Sequence, residues 1–222
     1  MSEPALRGRQ AEARRNDEAI LAAARAVFVD DPDASIADVV ACAGVNVASL
    51  YRRFASKEEL LRRLCGDGLL TYIDIARRAV EAIERDGADP WESFVRFTEE
   101  IVAADTHALT IRLAGRFRPT EEEQRNGAEA FGLNERLVRR AHEAGVLRDD
   151  FGPHDLSFVF EQVSNLRGAT PRRTAELRAR FLALQLDGLR APARTPLPGP
   201  PTTGEELRAR WDPPPRRRAP RG

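Results

Sequence analysis

The 222-residue chain is predicted to be all-α, with an N-terminal three-helix head that carries a helix-turn-helix and a larger C-terminal helical body. Three observations predict this. Apolar residues recur at helical spacing of three and four, and no segment alternates as a half-buried strand would. Helix-start residues precede most of these segments: Ser35, Asn46, Ser56, Asp89 before Pro90, and Thr120. Residues 35–57, SIADVVACAGVNVASLYRRFASK, read as two short helices joined by a glycine turn and followed by a capped third start.

The totals set limits. Hydrophobic residues make up 42% of the chain, enough for a sizeable core, and 35 basic residues balance 35 acidic ones. A balanced chain does not coat nucleic acid or an anionic membrane by bulk charge. Residues 1–66 are balanced as well, so a nucleic-acid role must rest on where the charges sit. The N-terminal stretch MSEPALRGRQAEARRND has no apolar run, and no stretch of ~18 apolar residues could span a bilayer. Two cysteines, Cys42 and Cys65, make no disulfide framework. The expectation is a cytoplasmic, reduced protein without a membrane partner.

Along the chain, residues 1–13 are polar and are expected to form a flexible arm. A helix from Asn16 to Val29 follows, with Ile20, Leu21, Ala24, Val27 and Phe28 on one stripe; Asp30-Asp31-Pro32-Asp33 ends it. Ser35 with Asp38 makes a capping box, and Ile36, Val39, Val40 and Ala43 share one face. Gly44 supplies the left-handed turn that other residues adopt only at a steric cost. Asn46 caps the next short helix, which Leu50 and Phe54 hold to the head. Ser56, with Glu59, caps a long helix reaching about Asp86. The head is expected over residues 14–60 and the body over 61–190.

In the body, Asp89-Pro90-Trp91-Glu92 starts a helix with Trp91, Phe94, Phe97, Thr98 and Ile101 on one side. Residues 109–117 are irregular, and a helix capped by Thr120 and Glu123 runs to Ala144, where Gly145 ends it. Two apolar helices follow, at about Pro153–Arg167 and Pro171–Leu189. Residues 191–222, rich in Pro and Arg, are expected to be a partly disordered tail in which Gly204–Trp211 forms a helical turn or two.

A helix-turn-helix reads DNA by directing side chains at the start of its second helix to base edges, while flanking groups fix the phosphates. Here Leu50 and Phe54 face inward. That leaves Val47, Ala48, Ser49, Tyr51, Arg52 and Arg53 outside. The run Ala43-Gly44-Val45-Asn46-Val47-Ala48-Ser49-Leu50-Tyr51-Arg52-Arg53-Phe54-Ala55-Ser56-Lys57-Glu58-Glu59-Leu60 resembles the tetracycline-repressor (TetR) family of bacterial transcription regulators. The likeness extends back over Asn16–Val29, about the first quarter of the chain. The segment Ala141–Leu156 more loosely resembles a turn of an actinobacterial-type subgroup.

The resemblance implies that Val47 and Ala48 meet bases, where apolar side chains touch thymine methyls without a bidentate hydrogen bond. It places Ser49, Tyr51 and Arg53 at phosphate positions, and Lys57 at a helix start adds a cation. Arg14 and Arg15 can reach a neighbouring phosphate or the minor groove. Ser35, Asn46 and Arg52 complete the candidate DNA-binding set. Ala48-Ser49 stands where the family more often has Gly-Thr, so specificity leans on Asn46, Arg52 and DNA shape.

The resemblance also implies a small-molecule effector pocket, with Phe94, Phe97, Thr98, Ile101, His107, Arg112, Phe117 and Phe158 as candidates, and a homodimer reading a palindromic operator in double-stranded DNA. Phe158, Val159, Val163, Leu166, Leu177, Phe181 and Leu184 are the candidate dimer residues. No catalytic constellation is found, and Cys42, Cys65, His107, His142 and His154 lack metal-ligand spacing, so no cofactor is implied. Repression relieved by an effector is the favoured reading. An activator of the same fold, a helical interaction module without DNA reading, and an enzyme that borrowed a helical body are the alternatives.

Overall fold

The computed structural model describes residues 3–105, 109–110, 113, 115–193 and 195–210, with side chains from residue 16 onward. The described helices are α1 (Glu3–Asp30), α2 (Ile36–Ala43), α3 (Val47–Tyr51), α4 (Lys57–Glu84), α5 (Pro90–Ala104), α6 (Glu121–Glu143), α7 (Asp155–Ser164), α8 (Pro171–Leu189) and α9 (Gly204–Ala209). No strand occurs among the described residues beyond an isolated antiparallel bridge between Leu147 and Arg190. The chain divides into two compact units, Met1–Gly66 and Asp67–Gly222. Helix α4 starts in the first and ends in the second, running unbroken through Gly66 and Gly68.

The first unit packs Ile20, Ala24 and Phe28 of α1 with Val39, Leu50, Phe54, Leu60 and Leu64, all buried. Its local signals are made as the sequence specifies. Ser35 and Asp38 form the reciprocal capping box, and Gly44 sits at φ 65°, the left-handed region. The amide of Ser49 donates to Asn46 Oδ1 at 2.7 Å, and the amide of Glu59 to Ser56 Oγ at 3.1 Å. The first helix is longer than expected. It begins at Glu3, inside the segment read as a flexible arm. Residues 3–15 carry no apolar stripe, but Ala, Leu, Arg, Gln and Glu are good helix formers.

The second unit has an aromatic interior. Tyr72, Phe97 and Phe160 meet edge to face with centroids 5.8–6.2 Å apart. Ile101, Leu137, Leu156, Val163, Leu182 and Leu186 close around them. One polar pair lies within: the Tyr72 hydroxyl donates to Asn134 Oδ1 at 2.9 Å, both residues buried. Burial raises the Tyr72 phenol well above its ordinary value, against the smaller opposing pull of Asn134.

Helix α7 starts at Asp155, two residues later than the Pro153 start expected. Asp155 turns its carboxylate back to the Gly152 amide at 2.7 Å and closes the turn first. The tail, expected to be partly disordered, is ordered over residues 195–210, which form a strap against the second unit. The helical turn expected within Gly204–Trp211 is present as α9 (Gly204–Ala209). The Thr195 carbonyl accepts from Arg148 Nη2 at 2.7 Å. The Leu197 amide donates to Asp150 Oδ2 at 2.7 Å, and the Thr202 amide to Asp155 Oδ1 at 2.9 Å. Thr203 and Glu206 cap α9. Arg210 then makes a bidentate pair with Glu161 at 2.7 and 2.8 Å and stacks over Phe158. Trp211, expected to dock on the body, lies outside the described residues.

The strap carries a pH prediction. The hydrogen bond from Arg148, and next that from the Leu197 amide, lower the Asp150 carboxyl to about 2 from an ordinary 3.8. A depressed carboxyl contributes stability above its unfolded value that is lost as pH falls through the folded one. The strap should therefore loosen as pH drops from about 4 toward 2. Asp150→Asn should loosen it at neutral pH, with the Leu197 amide exchanging about tenfold faster. Unchanged hydrogen exchange at Leu197 in that variant would show that Asp150 does not hold the strap.

Candidate nucleic-acid interface

The interface is built on α3, a helix of five residues held from beneath. Leu50 is fully buried, and Phe54 follows four positions on, so the helix is anchored along one side. Val47 (47% exposed), Ala48, Tyr51 (48% exposed) and Arg52 lie on the other side. Ser49 is half-buried, and its hydroxyl oxygen accepts from Arg52 Nη2 at 2.8 Å. The outward face thus presents a valine, an alanine, an aromatic ring and a guanidinium at the start of a helix.

Around α3 the charged groups are already engaged. Arg53 Nη1 lies 2.9 Å from Asp17 Oδ2 of α1, a pair in which both side chains keep about a third of their surface open. Lys57 donates to the Ala34 carbonyl at 2.6 Å and the Asp33 carbonyl at 3.3 Å, with its ammonium 5.2 Å from the centre of the Phe28 ring. Lys57 therefore ties the start of α4 to the turn before α2. The Ser35 hydroxyl donates to Asp38 Oδ2 at 2.7 Å, and the Ser35 hydrogen bonds hold the Asp38 carboxyl below its usual value. Ser35 acts here as a cap. Arg14 and Arg15 lie within α1, and their side chains fall outside the described residues.

The body candidates divide. Phe94, Phe97, Thr98, Ile101 and Phe117 are buried, and the Thr98 hydroxyl donates to the Val95 carbonyl at 2.8 Å. His107 and Arg112 lie outside the described residues. Phe158 is corrected, because it sits under Arg210 of the strap, while Phe160 takes the interior place. The period of α7 runs through Leu156, Phe160 and Val163, and that pattern would have distinguished the two. Val163 is corrected as a dimer residue for the same reason: it is 0% exposed and belongs to the chain's own core. Phe181 and Leu184 are exposed; Val159, Leu166 and Leu177 are half-buried. Sequence reasoning missed Tyr72 and Asn134. Both occupy core-period positions on their helices, where a polar group needs a buried partner.

Among the described residues no group of three or more His, Cys, Asp or Glu could hold a metal, and no helix is long and apolar enough to cross a membrane.

An anchored α3 following a capped α2 across a glycine turn, with a separate helical body, defines a helix-turn-helix DNA-binding regulator. The family model for bacterial regulatory proteins of the tetR family matches residues 20–64, and that for the C-terminal domain of SbtR-like transcriptional regulators matches residues 89–191. The chain belongs to the tetR family of bacterial regulatory proteins. No curated protein matches it in sequence. Solved structures share its fold. The ketosteroid transcriptional regulator KstR2 of Mycobacterium tuberculosis is 22% identical, with 79% of this chain and 95% of that one covered at a TM-score of 0.56. The regulator PfmR from Thermus thermophilus is 23% identical, with 77% and 98% covered at 0.55. The regulator LfrR from Mycobacterium smegmatis, in complex with proflavine, is 18% identical, with 76% and 95% covered at 0.52.

Proposed function

We propose that this regulator represses transcription as a homodimer on a palindromic operator and is released by a small molecule held in the body. The observation that carries the DNA reading is the two-sidedness of α3, with Leu50 buried and Val47, Ala48, Tyr51 and Arg52 presented together. Val47 and Ala48 suit thymine methyls, and Tyr51, Arg52 and Arg53 suit phosphates. The aromatic interior around Tyr72, Phe97 and Phe160 supports an effector in the body, as do fold relatives such as the KstR2 ketosteroid regulator and LfrR with proflavine. The exposed apolar residues of α8 support pairing of two copies.

The test is binding of the purified protein to DNA upstream of its own gene, across a salt series and beside a random competitor. Selective binding that weakens steeply with salt is expected. Arg53→Ala should reduce the salt slope by about one counterion, as for a lost phosphate contact. Asp17→Asn should do the opposite: with its partner neutralised, Arg53 turns to DNA and affinity rises several-fold. Identical slopes for all three proteins would take Arg53 out of the interface, and no selectivity at any salt would overturn the DNA reading.

A further inference from the structure

Where α5 and α7 end, two guanidinium groups converge on one carbonyl oxygen. Arg178 of α8 donates from Nη2 to the Ser164 carbonyl at 2.9 Å, and Arg167 donates to the same oxygen. Arg178 is 8% exposed, and its Nε, also buried, has no hydrogen-bond partner. The acid beside it is Asp105, the residue that ends α5 in the left-handed conformation at φ 50°. Asp105 Oδ1 lies 2.9 Å from Arg178 Nη1, yet it is not aligned to accept a hydrogen bond.

A buried guanidinium is costly unless its donors are satisfied, and its planar fork matches a carboxylate best through Nε and one Nη together. The chain achieves this elsewhere. Arg148, equally buried, places Nε and Nη2 on the two oxygens of Asp150, and its Nη1 on the Gly188 carbonyl. A guanidinium serving only to fasten helices would be satisfied in the same way. Arg178 instead has a misaligned acid and an open donor, with the positive charge of Arg167 close by. Asp105 is the more open of the pair, so its carboxylate can swing to water while Arg178 stays in place.

We propose that Arg178 and Arg167 form an oxyanion site in which Asp105 is an internal placeholder, and that the effector is a largely apolar molecule whose carboxylate or phosphate displaces Asp105. This rests on the effector reading above. The apolar part follows from the surroundings: Val102, Val163 and Leu182, each within one turn of these residues in sequence, are buried. The site also has a route to the dimer. Arg178 lies on the helix that exposes Phe181 and Leu184, so an anion that favours one placement of α8 biases the pairing of two copies.

The experiment uses the full chain with Asp105→Gly, which removes the placeholder and tolerates the positive φ. Melting is followed in sodium acetate, sodium phosphate and sodium chloride at equal ionic strength. Acetate or phosphate should raise the melting temperature of the variant by about 3 °C beyond chloride. The wild type should respond less, since Asp105 competes, and Asp105→Gly/Arg178→Gln should show no difference between salts. A response to acetate alone identifies a carboxylate, and one to phosphate alone a phosphoryl group. If Asp105→Gly does not fold, Asp105→Asn gives the same comparison, because Asn accepts the left-handed conformation. Equal melting in all three salts, or a response that survives Arg178→Gln, overturns the site. The folded variant's operator affinity is measured in the same salts, with an expected change of at least about fivefold. Anion stabilisation with unchanged DNA affinity would leave the anion site standing and overturn its effector role.

Discussion

Replacing Phe181 and Leu184 together with aspartate should leave the protein folded, make it monomeric, and lower its operator affinity by about two to three orders of magnitude. Along α8, Arg178, Leu182, Leu186 and Leu189 face the chain's own interior. That leaves Leu177, Phe181, Leu184 and Gly188 on one stripe. Phe181 is 43% exposed and Leu184 56% exposed, and the proposed dimer would cover both. Gln185 Nε2 donates to Gln162 Oε1 at 3.0 Å, tying α8 to α7 beside the stripe. A two-fold dimer built on this face would confront each aspartate with its copy, in surroundings that cannot solvate four charges. In the isolated chain the same positions are open, so the melting transition should move little. Sedimentation and an operator titration report the two effects separately. A dimer that persists with unaltered DNA affinity would exclude α8 from the interface.

The head was legible in the sequence because its signals are local. A capping box needs residues three apart, a left-handed turn needs a glycine, and an anchored short helix needs apolar residues four apart. Ser35–Asp38, Gly44, Asn46 and Leu50–Phe54 meet those conditions within a short span. The contacts that decide charge availability are not local. Asp17 meets Arg53 across 36 positions, and Lys57 reaches the Ala34 carbonyl across 23. Spacing alone places Arg53 and Lys57 on the outside; only the fold shows one balanced by an acid and the other turned to backbone oxygens.

The body was legible in outline and misread in detail for a related reason. Its helices announce themselves through Pro, Thr and Asp at their starts. Two apolar faces on α7 invite assigning Phe158 and Val163 to the wrong ones. Composition misled most in the tail: proline and arginine suggest an extended, solvated segment, yet Asp150, Asp155 and Glu161 offer carboxylates to its backbone and to Arg210. Those acids lie more than forty residues upstream of their partners, beyond the range of any helical pattern. Arg178 was hidden in plain view: an arginine at a core-period position, four before Leu182, is a signal that apolar counting discards.

Leu50→Ala should unfold the head while leaving the body intact, and so abolish DNA binding without loss of the dimer. Leu50 is completely buried, among the larger fully buried side chains, and it is the buried residue of α3. Truncating a buried leucine costs about 2–5 kcal/mol through lost transfer and the cavity left behind. A unit of this size has a total stability of roughly 3–10 kcal/mol, so one substitution removes a large share of it. Helix α3 is too short to persist alone: a helix nucleus is unfavourable, and isolated helices below about 12 residues are marginal. The body holds its own aromatic core and has no such dependence. Circular dichroism should resolve an early transition for the head, and sedimentation should still report the dimer. Val47→Ala gives the necessary contrast. Val47 is 47% exposed, so its truncation should leave melting nearly unchanged while altering operator preference, if the proposed contact to a thymine methyl is lost. If both variants bound the operator as the wild type does, α3 would not be the helix that reads DNA; if both simply unfolded, Val47 would belong to the core instead of the groove.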